Sequence, residues 1–442
     1  MKARTWFRIH SFTGVITGLL LFVISWSGTF AVLAYEIDWL VIPEARMTPR
    51  ADTASWGEIA EAGRRAMPEA ELYRISAPIN ARAAAQVWMR PDNDTLHFVW
   101  VDPYTAEVTG VMDGRYTVQR FFRDFHRQFF VSRVGLYFVS LFGMTMLVSV
   151  IAALFFYRRW WRRFFRFKPG RGRVFWSELH KTTGLWSLWF ALIISLTGVW
   201  YLFEAARYDL GDGIAAYIGD GEYAVHQIPA PDPDVGGEPL ALDALVARVH
   251  EEWPELSIEA ISRGRPTEGS FQAIGQSDFP LVSNAVTLDA RTGEPLAILR
   301  TGELPAYWIW ASMANPLHFG DFAGLWSKGI WFVFGLALCG LIITGTYLHS
   351  QRLAREAGGR NRHRWPGTGA AILVSLLVLV ASVPLGIDHA RSYTADEGIT
   401  PPPPGVVVVI GAWALLTLTI IAGWIWMLWR PGVRSGDRSD TS

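Results

Sequence analysis

Cysteine is nearly absent from this chain of 442 residues, in which Cys339 is the single example. One thiol cannot form an intrachain disulfide, and a metal site built from cysteines is excluded as well. Nucleotide-binding signatures are also missing, because the chain contains neither a Gly-x-Gly-x-x-Gly sequence after a strand nor a P-loop. We therefore expect no flavin or NAD(P)H domain within this sequence.

Net charge is absent too, since 40 Lys and Arg balance 40 Asp and Glu, and this gives no sign of a nucleic-acid partner. Charged residues are missing from six apolar runs, each long enough to cross a bilayer at about 20 residues. Backbone polar groups must be paired in lipid, so we expect all six to be helices. The runs are Ser11–Tyr35, Val134–Tyr157, Thr182–Phe203, Gly329–Gln351, Trp365–Ile387 and Gly398–Trp429.

The distribution of Lys and Arg predicts how these helices are oriented. Basic residues flank the N-terminus and the C-terminus, and they crowd the short connections 158–173 and 352–364. Such clusters stay on the cytoplasmic side of a membrane. We therefore predict a protein of the bacterial inner membrane with both termini in the cytoplasm and two long exported loops, Glu36–Arg133 and Glu204–Lys328.

The sequence also repeats itself. His10, Gly14 and Gly28 recur as His180, Gly184 and Gly198, each 170 residues later. His126 and Phe142-Gly143 recur as His318 and Phe334-Gly335, each 192 residues later. We interpret this as a duplicated unit of helix, exported domain and helix.

Each exported loop has an amphipathic helical segment followed by alternating strand-like segments, which predicts a small α+β domain. The fold class is an α-helical polytopic membrane protein: two such units form a four-helix bundle, and two C-terminal helices follow. The predicted transmembrane helices cover 1–35, 126–157, 174–203, 318–351, 365–387 and 405–429. Exported domains cover 36–125 and 204–317, a basic cytoplasmic loop covers 158–173, and a cytoplasmic tail covers 430–442.

The repeated histidines are the candidate functional residues. Duplication places His10 opposite His180 at one membrane face and His126 opposite His318 at the other. Two imidazoles from facing helices are the axial ligands that low-spin haem iron takes inside a bundle. His349, at the end of the fourth run, is an alternative to either cytoplasmic ligand.

The repeated glycines fit the same hypothesis. Gly14 and Gly184 lie one turn after their histidines, and Gly28 and Gly198 return to the same helix face five turns further on. Missing side chains at both ends leave clearance for two flat macrocycles. The rival interpretation is that the histidines are interfacial residues and the glycines are packing positions. A metal ion held by side chains alone is disfavoured, because neither pair has a clear carboxylate or cysteine companion.

These features resemble the PepSY-associated transmembrane family. The resemblance is carried by the His-x3-Gly helix starts, the Phe-Gly helices and the loops ending in Val-Asp-Pro-x-Thr and Leu-Asp-x-x-Thr-Gly, and it covers roughly residues 1–350. Ala106 departs from it, because glycine is usual at that turn, and the last two helices lie outside it. The resemblance implies exported PepSY domains, two haem b groups and, in some members, reduction of ferric siderophores during iron uptake.

The predicted function is a di-haem b oxidoreductase that passes electrons across the membrane to a periplasmic ferric chelate, such as a ferric siderophore. The predicted electron donor is a separate cytoplasmic reductase or a membrane quinol. The basic loop 158–173 is predicted to contact membrane lipid. The alternative is non-enzymatic: a membrane-anchored pair of PepSY domains that binds or regulates a periplasmic peptidase.

Overall fold

The computed structural model describes residues 2–91, 96–168, 170–210, 228–264, 267–277, 279–303, 306–356, 368–391 and 402–429. The predicted tail over 430–442 lies outside these residues, and so does most of the arginine-rich connection before the fifth run. The helices are α1 (Ala3–Ile16), α2 (Gly18–Ala31), α3 (Ala34–Val41), α4 (Trp56–Ala66), α5 (Val118–Gln128), α6 (Ser132–Phe156), α7 (Arg173–Trp186), α8 (Leu188–Leu210), α9 (Leu242–Glu252), α10 (Ala306–Phe319), α11 (Gly324–Glu356), α12 (Thr368–Arg391) and α13 (Pro404–Trp429).

Five of these helices are long and apolar enough to span a membrane, and the pair α1 and α2 makes a sixth if it counts as one span. The spanning parts are Ser132–Phe156, Leu188–Arg207, Gly324–Leu353, Gly369–Ile387 and Pro404–Trp426. The chain is therefore a membrane protein with several transmembrane helices.

The first predicted span is not one straight helix, because α1 and α2 meet at an angle of 69°. Thr17 lies at the break, and its hydroxyl donates to the Thr13 carbonyl. Side-chain hydroxyls that bond back to the preceding turn bend helices, and glycines on either side remove resistance to the bend. Ser187, 170 residues after Thr17, separates α7 from α8 at the matching position of the sequence.

Four segments form the bundle around the repeated histidines. α6 packs on α1 and α8, while α11 packs on α2 and α7. Two close crossings hold the halves together: a Cβ on Gly143 would lie 2.9 Å from the Gly198 carbonyl carbon, and Gly335 lies against Thr29. These glycines let the helices approach closely, as small residues do in membranes.

The last helix is attached to the bundle by two indole hydrogen bonds. Trp26 Nε1 of α2 donates to Thr417 Oγ1 at 2.9 Å, and Trp424 Nε1 donates to Thr346 Oγ1 of α11 at 2.6 Å. Buried indoles usually find such partners. α13 is thus a packed part of the helical unit.

The two long loops between the helices contribute to one antiparallel sheet of eight strands. The strands are β1 (Glu71–Ser76), β2 (Ala85–Arg90), β3 (His97–Val101), β4 (Val108–Asp113), β5 (Ser257–Arg263), β6 (Ser270–Gln276), β7 (Asn284–Asp289) and β8 (Pro295–Leu299). Their order is β4-β3-β2-β1-β5-β6-β7-β8. The prediction of two separate small domains differs from this, because β1 and β5 pair through Ile75 with Ile261 and Ser76 with Ala260.

The sheet lies between a layer of two helices and the membrane bundle. α4 and α9 cover one face, where Val87, Phe271 and Val286 are fully buried. On the other face, Trp100 packs in one cluster with Phe122 of α5. The sheet therefore lies against the end of the bundle that carries His126 and His318.

Candidate functional site

The structure brings the four predicted histidines together as two pairs. The ring centres of His10 and His180 are 6.5 Å apart, and those of His126 and His318 are 6.1 Å apart. An imidazole nitrogen lies about 2 Å from a first-row metal ion, so two rings that grip one ion from opposite sides have centres roughly 6 Å apart. Both separations match that requirement.

In the first pair, the protein holds the Nδ1 atom of each ring. His10 Nδ1 lies 3.1 Å from the Ser149 carbonyl oxygen and 2.8 Å from the Ser149 hydroxyl. His180 Nδ1 lies 2.9 Å from Thr344 Oγ1, whose own proton goes to the Gly340 carbonyl. That hydroxyl therefore accepts from His180, and both rings donate through Nδ1.

The second pair is arranged in the same way. His126 Nδ1 donates to the Ile24 carbonyl at 2.8 Å, with the Ser27 hydroxyl 3.4 Å away. His318 Nδ1 lies 2.7 Å from Thr197 Oγ1, which donates to a carbonyl of its own helix and so accepts from the ring. Ser27 and Thr197 are themselves separated by 170 residues.

The tautomer follows from these bonds. A neutral imidazole that donates through Nδ1 keeps its lone pair on Nε2. Within the part of the chain that the structure describes, none of the four Nε2 atoms has a hydrogen-bond partner. Metal-binding histidines have this arrangement, in which the second nitrogen is fixed by a carbonyl or hydroxyl oxygen.

His126 is positioned by a short helix that the sequence did not separate from the second span. Asp38 caps the start of α5, accepting from the backbone N–H groups of Val118 and Gln119 at 2.6 and 2.9 Å. The helix ends at Phe129 and Phe130, whose φ values of 49° and 61° are left-handed. Non-glycine residues rarely adopt this conformation, and such strain is characteristic of functional sites.

His318 also lies on a separate helix, α10, and it has an aromatic neighbour. The ring of Tyr201 lies 5.2 Å from the His318 ring, edge to face. Its hydroxyl donates to Asn315 Oδ1 at 2.6 Å, one turn before His318. Gly320 then ends α10 with φ +71°, and a Cβ there would run into the Trp331 indole.

Comparison with known proteins gives the family. The model of the PepSY-associated transmembrane region matches residues 7–352, most of the chain. The chain belongs to the PepSY-associated transmembrane family. It is also similar to an uncharacterized protein of Pseudomonas aeruginosa, with 27% identity over 317 residues that cover 68% of this chain and 79% of the relative. The predicted family is thus confirmed.

The four glycines of this PepSY-associated protein have different surroundings. Gly14 has open space where a Cβ would be, and Gly184 has only an ordinary contact at 3.7 Å. Gly28 lies directly against the His126 ring, where a Cβ would be 2.6 Å from Cε1. Gly198 instead packs on the Gly143 backbone, which fits the rival interpretation of a helix-packing residue. Space is therefore left beside the His10 and His180 pair, whereas the His126 ring fills the position at Gly28 and the Gly143 backbone lies against Gly198.

His349 is placed differently from the other four. It is buried in α11, and Arg352 Nη2 donates to its Nδ1 at 3.0 Å. Of the two candidate imidazoles, that of His180 lies against the His10 ring. The geometry therefore favours His180 over His349 as the partner of His10.

Sequence reasoning missed the oxygen atoms that hold the rings, although a signal for two of them was present. Ser27 and Thr197 precede the repeated glycines at matching positions, and each hydroxyl lies beside a histidine of the His126 and His318 pair. The partners of His10 and His180 gave no such signal. Ser149 and Thr344 occupy positions that the repeat does not relate.

Proposed function

We propose that this protein is a di-haem b oxidoreductase that passes electrons across the bacterial inner membrane to a periplasmic ferric chelate. The observation that carries the proposal is the pair of facing imidazole couples, each with Nδ1 held by an oxygen and Nε2 left with its lone pair. The matched positions of Ser27 and Thr197 further support the proposed duplication of the bundle.

The residues present fit haem better than a bare ion. Among the described residues, no group of three or more His, Cys, Asp or Glu side chains has the spacing of a metal site. Each couple offers two ligands, and a porphyrin brings the remaining four to its iron. We propose His10 and His180 for one haem, and His126 and His318 for the other. When bound, haem supplies one-electron chemistry through its iron.

The chain's own residues fix and insulate the two sites. Hydrogen bonds to Nδ1 set the orientation and tautomer of each ring and increase the basicity of Nε2. The open space at Gly14 accepts a bulky flat group at the His10 end. Buried aromatic residues such as Phe142 and Phe190 lie between the two ends of the bundle and exclude water. Low polarity around such groups is one of the factors that set their potentials.

The proposal also includes the orientation of the protein in the membrane. Trp6 stacks on Phe155, and the Arg352 guanidinium lies over the Phe7 ring at 4.7 Å. The N-terminus and the basic ends of α6 and α11 thus meet at one end of the bundle. We propose that this end is cytoplasmic and contacts membrane lipid, and that the sheet is periplasmic. Electrons come singly from a separate cytoplasmic reductase or from quinol, and each one reduces one ferric ion to ferrous.

A visible spectrum of the purified full-length protein tests the proposal. We expect a Soret band that shifts on reduction with dithionite and recovers when a ferric siderophore is added. His10→Ala and His126→Ala should each remove about half of the Soret absorbance, because each removes a histidine from one of the two pairs that would hold haem. His250→Ala is the matched control, since this histidine is exposed on α9 and should leave the spectrum unchanged.

A protein without a Soret band would refute the haem proposal. In that case the non-enzymatic alternative, regulation of a periplasmic peptidase by the exported sheet, becomes the better hypothesis. A Soret band with no reoxidation by ferric chelates would keep the haem sites and replace the acceptor.

A further inference from the structure

The last two helices lie beyond the residues that the family model matches. The match ends at residue 352, whereas α12 begins at Thr368 and α13 begins at Pro404. Neither helix provides a ligand of the proposed haem sites. Their contacts with the bundle therefore indicate what they contribute, and these contacts gather around His126.

Trp413 of α13 lies among three aromatic rings of α5, the helix that carries His126. Its ring centre is 5.1 Å from that of Phe122, 5.5 Å from that of Phe125 and 5.9 Å from that of Phe121, and all three contacts are edge to face. Such pairs stabilise a structure beyond the area that they bury. Phe125 directly precedes His126, and Phe122 lies one helical turn before it on the same side of α5. Trp413 therefore packs against the part of α5 from which His126 projects.

Trp413 makes these contacts with its ring and not through a hydrogen bond. Its side chain is 6% exposed, and its Nε1 atom has no hydrogen-bond partner within the described part of the chain. The other indoles at the contacts of α13 differ, because Trp26 and Trp424 each donate to a threonine hydroxyl. A phenylalanine should therefore replace Trp413 better than a small side chain does.

The same helix contacts the segment of α2 that holds the His126 ring. Trp26 Nε1 of α2 donates to Thr417 Oγ1 of α13 at 2.9 Å. Ile24, whose carbonyl accepts from His126 Nδ1, lies two residues before Trp26. Gly28, which lies against the His126 ring, follows two residues after Trp26. One helix thus packs on both of the elements that fix His126.

α12 packs on the turn that follows α5. Phe130 lies in this turn with a left-handed φ of 61°. Its ring lies over Gly386 of α12, where a Cβ would be 2.8 Å from the Phe130 Cδ2 atom. Glycine at this position of α12 leaves the space that the ring occupies. The two C-terminal helices together contact α5 along its side and at its C-terminal end.

The repeat shows that these contacts belong to one half of the bundle. The three phenylalanine positions of α5 that Trp413 contacts correspond, 192 residues later, to non-aromatic side chains on α10. These are Met313, Ala314 and Leu317. The repeated unit itself therefore does not require aromatic residues here, and they occur where α13 packs. His318 instead has the Tyr201 ring beside it.

We infer that α12 and α13 fix the position of α5, and that Trp413 is a positioning residue for His126. The inference rests on the proposed function for the haem that His126 would hold, and it adds a role for the two helices beyond the matched region. Groups that support a metal-binding histidine set the orientation of its ring. Removal of the Trp413 ring should therefore loosen α5 and change the surroundings of one haem.

Hydrogen–deuterium exchange of the full-length protein in detergent tests the inference without requiring haem. The amides of α5 should exchange about tenfold faster in Trp413→Ala, because the helix loses packing that opposes its local opening. Trp413→Phe should restore most of the protection, since an aromatic ring remains. Leu415→Ala is the matched control, because this side chain lies on the same helix, is 68% exposed and should leave α5 unchanged.

Electron paramagnetic resonance of the oxidised, haem-loaded protein adds a readout that a general loss of stability would not produce. One of two low-spin signals should shift in Trp413→Ala, while the other stays as in the wild type and Trp413→Phe resembles the wild type. Trp413→Leu replaces the alanine variant if that variant does not fold, and it should give a smaller effect in the same direction.

Unchanged exchange of α5 in Trp413→Ala would overturn the inference, and so would equal acceleration in α5 and α10. Two unshifted low-spin signals in a variant whose α5 exchanges faster would overturn the role in positioning His126. A protein without haem would refute the proposed function, whereas the exchange of α5 would still report on the packing of α13. Failure of one is therefore distinguishable from failure of the other.

Discussion

Ala106 adopts a left-handed backbone conformation, with φ of 55°, in the turn between β3 and β4. Glycine stands at the matching position of the second loop, where Gly293 has φ of +74°. A residue with a Cβ pays about 1–2 kcal/mol in this conformation, which glycine avoids. We predict that Ala106→Gly raises the melting temperature, with a gain of about 1 kcal/mol in unfolding free energy, measurable by thermal scanning of tryptophan fluorescence.

Gly293→Ala is the converse control. It places a Cβ in the same unfavourable conformation and 3.2 Å from Leu240 Cδ1, so we expect a lower melting temperature. A fall in stability on Ala106→Gly would contradict the strain assigned to this turn.

Gly28 is the residue on which the position of His126 most directly depends. A Cβ at Gly28 would lie 2.6 Å from Cε1 and 2.9 Å from Nδ1 of the ring, closer than real contacts allow. The ring is tied to the Ile24 carbonyl, so Gly28→Ala must break that hydrogen bond or move the helix. We predict a lower melting temperature and loss of about half of the Soret absorbance, as expected for one of two axial pairs.

Gly340→Ala is the control for Gly28→Ala, because Gly340 lies in a spanning helix with nothing within 4 Å of the added Cβ. Similar spectra for the two variants would show that the space at Gly28 is unimportant to His126.

At this scale the sequence predicted which histidines face each other. Two identical offsets place the rings of His10 and His180, and those of His126 and His318, at matched depth, and the structure brings these rings together. Their role as haem ligands stays a prediction. Ser149 and Thr344 were not predictable, because the contact of a side chain with another helix depends on rotation and bending that no local pattern encodes.

Among the elements, α5 shows how a separate short helix carries a site residue. Asp38 is buried beneath its first turn, and burial raises the pKa of this carboxyl to about 7, although the hydrogen bonds from Gln119 and Val118 oppose the rise. The folded protein therefore holds a proton at Asp38 that the unfolded chain releases near pH 4. Between those values stability falls as pH rises, because the folded state binds more protons than the unfolded state.

We predict that the melting temperature of the wild type falls between pH 5 and pH 8 more steeply than that of Asp38→Asn. The amide does not titrate, so the variant lacks this contribution while keeping one acceptor oxygen for the helix start. Thermal scans of both proteins at the two pH values measure the difference. Parallel pH profiles would mean that Asp38 has the same pKa in both states.

The boundaries of α5 and α10 were not visible in the sequence. No proline follows His126 or His318 before the apolar run, so we expect continuity with the spans over 126–157 and 318–351, although Gly320 and Gly324 interrupt the second segment. The structure inserts a reversal instead, at Phe129 and Phe130 in one case and at Gly320 in the other. The left-handed backbone of Phe129 is stabilised by tertiary packing, because its side chain is only 1% exposed. Local sequence propensities do not predict this conformation for phenylalanine.

For the whole molecule, the sequence predicted membrane helices joined by loops that contain strands. It did not predict that the strands of the two loops pair in one sheet. The strand-like segments of each loop are strands of the observed sheet. The edges β1 and β5 then pair with each other, which removes two exposed edges that would otherwise invite aggregation. Asp243 of α9 adds a second link, since it accepts from Ser55 and from the Gly57 backbone of α4 at 2.8 Å. Contacts between segments so far apart leave no local pattern.

The orientation of the whole molecule yields the last prediction, which depends on the segregation of charge. Basic clusters lie at the end of the bundle opposite the sheet, and the positive-inside rule predicts that this end lies in the cytoplasm. The native Cys339 is 3% exposed, so it contributes little background to thiol labelling. We predict that a membrane-impermeant maleimide added to intact spheroplasts labels Glu61→Cys on the sheet domain. It should label Trp161→Cys, which replaces an indole that is 60% exposed in the basic loop, only after the membrane is permeabilised. Labelling of Trp161→Cys in intact spheroplasts, with Glu61→Cys protected, would show that the molecule has the opposite orientation, with the sheet on the cytoplasmic side.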